Sequence, residues 1–188
     1  MARLDPLSLD AVDPSLAPLI QEAQERLPQF MNQIRTLAHH PRIARDLVTL
    51  YLGFQEESRV ERRLIELAVL TVSHLNRCVY CVSHHTPLAQ QFGVPEQALA
   101  DLEAGRIGAS PHFSPREKLV MAYARQMTLD ARRVPDALFQ ELQAAFDPAQ
   151  LVELTVRIGL ANFFNRLNDA LRIDLENGVV PLLPGGVE

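Results

Sequence analysis

From Leu64 to Val72 the chain reads LIELAVLTV, with Glu66 and Thr71 its polar residues. A helix that is apolar on nearly all sides has no face to offer water, so this segment belongs inside a shell of other elements. The rest of the chain supplies that shell as helices. Strand-like alternation is absent and glycine is scarce, 8 in 188 residues. Periodicity and capping signals predict helices over 15–26, 28–38, 42–55, 58–75, 77–92, 95–104, 114–129, 135–146 and 148–173. Ser58 with Glu61, Ser114 with Glu117, and Asp147 with Gln150 all have capping-box spacing, and Pro95 and Pro135 suit first-turn positions. Pro87 either kinks the 77–92 helix or begins a second one after Thr86. The expected fold class is all-α, a helical bundle over 28–175 with an N-terminal arm over 1–27 and an irregular tail over 176–188. LIELAV at 64–69 is echoed by LVELTV at 151–156, and the same offset sets Asn165, Asn168 and Arg172 against Cys78, Cys81 and His85. A duplicated helical unit produces such an echo, and so does chance similarity between two amphipathic helices.

Charge and hydropathy narrow the functional classes. The net charge is −5, with no basic run and no basic-aromatic stripe, which argues against a nucleic-acid partner. The Leu64–Val72 stretch is far too short to span a bilayer, so no membrane partner is expected. MARLDPLSLDAVDP lacks the apolar run of a signal peptide, so the cytoplasm is the expected address. In that compartment a close cysteine pair is more often catalytic or metal-binding than structural.

RCVYCVSHH, residues 77–85, holds both cysteines of the chain. Asn76 is the expected N-cap of a helix starting at Arg77, which places Cys78 and Cys81 near a helix N-terminus, where free N–H groups favour thiolate. At 100° per residue, Cys78, Cys81 and His85 share one face while His84 points away. The spacing lets the sulfurs close a disulfide across one turn and puts His85 within reach of Cys81 as a base. Upstream, Glu66 is the expected buried carboxylate; such a group needs a partner or a proton, which suits a proton shuttle. A Glu66–water–His85–Cys81 relay would link the two segments. Three readings stay open on spacing alone: a redox dithiol, a metal site using Cys78, Cys81 and His85 with Glu66 or water as fourth ligand, and inert buried cysteines. His39, His40, His74 and His84 read as solvated or capping residues, and ERR at 61–63 as a solvated first turn. Asn162, Arg166 and Asp169 lie near one face of the last helix and read either as an internal Arg–Asp pair or as a subunit interface or pocket wall, with the interface favoured.

Glu66, Cys78, Cys81 and His85 form the pattern E-x11-C-x2-C-x3-H. This pattern, with CVYCVSHHT followed by LAQQFGV, resembles the AhpD-like alkylhydroperoxidases of the carboxymuconolactone decarboxylase superfamily. The core motif covers 58–95, and LANFFNRLNDAL is similar to the terminal helix of the peroxidase-related branch. The resemblance implies an AhpD-like helical bundle assembled as trimers or hexamers. It implies a thiol-dependent hydroperoxide reductase or disulfide reductase with no cofactor, a hydroperoxide substrate, and a dithiol or protein electron donor. By position, Cys81 would be the peroxidatic cysteine, Cys78 the more exposed resolving partner, and Glu66 with His85 the proton relay. Tyr80 stands where the best-characterised members carry histidine, and a phenol, neutral near pH 7, cannot transfer the same proton. The decarboxylase branch lacks the dithiol, which argues against that activity. Two rivals to the peroxidase remain: a metal-binding protein using Cys78, Cys81 and His85, and a non-catalytic helical oligomer whose dithiol senses redox state.

Overall fold

The computed structural model describes residues 2–184. Among these, the regular elements are helical throughout: α1 (Ala17–Arg26), α2 (Met31–Leu37), α3 (Pro41–Glu56), α4 (Arg62–Leu75), α5 (Val79–Gln91), α6 (Glu96–Glu103), α7 (Pro115–Asp130), α8 (Asp136–Ala145) and α9 (Pro148–Leu171), with short 3-10 turns between some of them. The chain divides into two compact units, one from the segment up to Ser58 with Leu167–Val180, the other from Arg59–Arg166 with the segment from Pro181. The expected irregular tail holds no helix over 176–184, and its remainder, 185–188, lies outside the described residues.

In the first unit α1 and α2 pack on α3. Leu16, Ile20, Ala23, Ile34, Val48 and Leu52 are buried. Arg26 ties the end of α1 to α3 through Glu56 at 3.1 Å, and Gln33 donates to the Asn168 side chain at 2.8 Å. The expected arm over 1–27 includes α1.

The second unit is organised around α4, whose residues Leu64–His74 are all buried. Its apolar character on every side has a direct cause. One flank of α4 (Leu64, Ile65, Ala68, Val72) joins a core with Val120, Leu142, Leu154 and Ile158, while Leu67 and Leu70 face a second core with Ala98, Leu102 and Met121. Its most extensive neighbours are α7 and α5.

The capping signals met different fates. Ser114 and Glu117 form the expected reciprocal box at the start of α7. Asp147 and Gln150 do the same, with bonds of 3.0 and 2.8 Å. The Ser58–Glu61 box does not cap α4, which begins at Arg62 with Glu61 as N-cap and no side-chain cap bond. The backbone there is engaged elsewhere. Arg59 N–H donates to Glu153 and Arg59 C=O accepts from Gln150, while the Glu61 carboxylate pairs with Arg116. Pro87 lies inside α5, which continues through it as one helix. The echo of 64–69 at 151–156 breaks down further on: the chain turns at Asn76–Cys78, whereas Asn165 and Asn168 lie within the continuous α9.

Candidate functional site

The turn between α4 and α5 positions the dithiol, and it differs from expectation. Asn76 is the C-cap of α4, not the N-cap of α5. Arg77 adopts φ 59°, the left-handed region. Arg77 N–H donates to His74 C=O at 3.1 Å and Cys78 N–H to Ser73 C=O at 3.0 Å. This is the bond pattern of a Schellman motif, with arginine where glycine is usual. Cys78 closes α4 and at the same time serves as N-cap of α5, its sulfur accepting from Cys81 N–H at 3.3 Å. A backbone N–H and the positive end of α5 thus both face the Cys78 sulfur.

Both cysteines are thiols, with sulfurs 2.8 Å apart. Both are buried, Cys78 at 0% and Cys81 at 4% exposure. The expectation that Cys78 is the more exposed of the two is therefore corrected: as the residue joining two helices, it has packing on both sides.

Glu66, in the middle of α4, is 2% exposed and meets α5 directly: its Oε2 lies 2.7 Å from His85 Nδ1. No water is needed in this half of the expected relay. With the carboxylate as acceptor, Nδ1 is the donor in this bond and Nε2 is the ring nitrogen left for another partner. His85 follows Cys81 by one helical turn. The other carboxylate oxygen, Oε1, accepts from Arg62 Nη2 at 3.3 Å. Arg62 also stacks over the Phe92 ring, 5.1 Å from its centroid. The site is thus a dithiol at one helix start and an Arg62–Glu66–His85 chain of charge-assisted contacts behind it.

Several sequence readings change at this point. Arg62 and Arg63 are not a solvated turn: Arg62 holds Glu66, and Arg63 pairs with Glu117 and Gly93 C=O. The sequence signal for Arg62 is its position one helical turn before a buried glutamate. His84 and His74 are buried, at 2% and 6% exposure, and not solvated. His84 Nδ1 bonds Tyr80 C=O at 2.7 Å and its ring stacks on Tyr80 at 4.3 Å. His40 does cap, accepting from Ile43 N–H. Arg166 donates to Asn162, and Asn162 in turn accepts from Asn76, so the last helix reaches the dithiol turn. As for the metal reading, no cluster of three or more His, Cys, Asp or Glu side chains among the described residues is arranged to hold a metal ion. No helix among them is long and apolar enough to cross a membrane.

The chain is 31% identical to the uncharacterised protein YdfG of Bacillus subtilis (strain 168) over 63% of its own length and 80% of the relative's. It superimposes on an uncharacterised peroxidase-related protein with an alkylhydroperoxidase AhpD core from Ralstonia eutropha JMP134, with TM-score 0.78, 18% identity and 96% and 98% of the two chains covered. It also superimposes on a cysteine-to-alanine variant of the debrominase Bmp8 in complex with 2,3,4-tribromopyrrole, with TM-score 0.73, 22% identity and 93% and 91% covered. Residues 41–126, which contain the whole Glu66–Cys78–Cys81–His85 constellation, match the carboxymuconolactone decarboxylase family. The chain belongs to that family and is an AhpD-like member of it.

Proposed function

We propose that the protein is a thiol-dependent hydroperoxide reductase, with Cys81 as the attacking sulfur, Cys78 as the resolving sulfur, and Glu66 with His85 as the proton relay. The observation that carries this reading is the direct bond between Glu66 and His85, set one helical turn from a pair of thiols 2.8 Å apart. His85 Nε2 takes the Cys81 proton while Glu66 balances the resulting imidazolium. The Cys81 thiolate attacks the distal oxygen of ROOH. The O–O bond breaks, Cys81 becomes a sulfenic acid, and the alkoxide leaves as ROH with the proton from His85. The Cys78 sulfur, supported by Cys81 N–H, attacks the sulfenic sulfur, releasing water and forming the Cys78–Cys81 disulfide. An external dithiol then reduces that disulfide by exchange.

Homo-oligomerisation is part of the proposal. Val152, Val156 and Phe163 lie along one face of α9 and are exposed at 64%, 39% and 44%, and a second copy would cover them. The debrominase with the same fold makes a halogenated pyrrole the second oxidant to test.

The test is a thiol count with intact mass. The native protein should expose two reactive thiols on denaturation, lose both with one equivalent of alkyl hydroperoxide, and regain them with dithiothreitol. Cys81→Ser should abolish peroxide consumption. Cys78→Ser should stop at a sulfenic acid trappable by a dimedone reagent. Peroxide consumption that persists in Cys81→Ser overturns the assignment. Thiols that never oxidise in the native protein point instead to an inert pair.

A further inference from the structure

Asn165 lies in the second half of α9, 1% exposed, and belongs to none of the groups used in the chemistry above. Its side-chain oxygen accepts from Asn76 Nδ2 at 2.8 Å and its Nδ2 donates to Ser73 Oγ at 3.2 Å. Both contacts fall at the C-terminal end of α4, just before Cys78. Ser73 C=O receives Cys78 N–H, and Asn76 is the cap before Arg77. Asn162, one turn earlier on α9, also accepts from Asn76, at 3.0 Å, and donates to Thr128 on α7 at 3.1 Å. A turn with a left-handed arginine at φ 59° is one the local chain does not favour. As a clamp, the α9 side chains bond Asn76 and Ser73 in addition to the two backbone bonds that close the turn.

We propose that Asn165, with Asn76, is a positioning element that sets the reduction potential of the Cys78–Cys81 pair. The inference rests on the dithiol reading of the preceding section. Forming the disulfide requires the sulfurs to close from 2.8 Å to about 2 Å, a small step only while the turn holds Cys78 at the start of α5. Released from Asn165, the turn relaxes away from the left-handed conformation and Cys78 moves off Cys81. The effective concentration of one sulfur at the other falls, and the disulfide becomes easier to reduce.

The experiment equilibrates the full-length protein with graded ratios of reduced and oxidised dithiothreitol, quenches with acid, and measures the dithiol fraction by alkylation and mass. Asn165→Ala and Asn76→Ala should each shift the equilibrium towards dithiol by about tenfold, or about 30 mV in potential. Leu154→Ala, which removes a fully buried side chain from the same helix in the apolar core, should lower thermal stability and leave the potential unchanged. Asn76→Ala keeps the test intact if Asn165→Ala does not fold. A wild-type protein that forms no intramolecular disulfide overturns the dithiol reading and the clamp with it. A wild type that cycles normally, with both variants unchanged or shifted towards disulfide, overturns the clamp alone. A shift of the same size in Leu154→Ala also overturns it, because the effect would then follow general stability.

Discussion

Replacing Glu66 with glutamine keeps shape and volume and removes one acceptor, which makes it a sharp probe of the relay. Glu66 Oε1 accepts from Arg62 at 3.3 Å and Oε2 accepts from His85 at 2.7 Å. Glutamine offers one oxygen and one NH2. Turning the NH2 to Arg62 would set two donors against each other beside a positive charge, so the amide oxygen goes to Arg62 and the NH2 to His85. His85 Nδ1 must then accept, which moves its proton to Nε2 and removes the base that serves the thiol. Losing a charge-assisted bond in a site where the glutamate is 2% exposed costs about 1.5–3 kcal/mol of stability. Losing general-base assistance lowers the peroxide reaction rate about 10²–10⁴-fold. The assay is a pH series of alkylation by iodoacetamide, resolved to Cys78 and Cys81 by peptide mass, with thermal melts of both proteins in parallel. The Cys81 profile should move to higher pH in Glu66→Gln. A Cys81 profile identical to wild type, in a variant that has lost the expected stability, refutes the relay while leaving the structural role of Glu66 in place.

Arg62→Gln should leave the Glu66–His85 bond formed but less well fixed, costing about 1–3 kcal/mol in urea denaturation with a partial fall in peroxide turnover; unchanged turnover would confine Arg62 to packing on Phe92. Burial alone pushes the Glu117 carboxyl up, but bonds from Arg63 and from the Ser114 backbone and hydroxyl hold it below its ordinary value of 4.5. A carboxyl depressed in the fold contributes stability that is fully present above that value and is lost as pH falls through its lower folded value. The melting-temperature gap between wild type and Glu117→Gln should accordingly narrow below about pH 4.5, and a constant gap would show that the ion pair is not its source. Arg77→Gly should raise stability by about 1 kcal/mol, since glycine adopts φ 59° without the side-chain penalty; a lower melting point would reveal a stabilising contact from the arginine. Val156→Glu and Phe163→Glu should lower the solution mass by light scattering, and an unchanged mass would place any subunit contact elsewhere.

Legibility of this site in the sequence follows the range of the interactions that build it. The α4 helix is readable because the nearly unbroken apolar run Leu64–Val72 leaves a helix no solvent face, and two cores do meet on its flanks. Glu66 and His85 are readable together because each follows from a fixed helical period, and a buried carboxylate must find a donor. Arg62 is hidden by its neighbours: ERR resembles any charged first turn, and only the fold shows Phe92 and Glu66 converging on its guanidinium. The N-cap of α5 is Cys78 rather than Asn76 because asparagine before a helical pattern has the same signature whether it ends one helix or starts the next. The deciding fact is a left-handed Arg77, a conformation no local rule assigns to arginine. Beside its two local backbone bonds, side chains from far along the chain, Asn162 and Asn165, accept from the cap next to it, and their spacing in NFFN reads as one more polar face of an amphipathic helix. Helical period thus places the reacting groups, but the backbone that aims Cys78 at Cys81 depends on long-range side-chain bonds. Replacing Asn165 should therefore alter the chemistry of a dithiol it never touches.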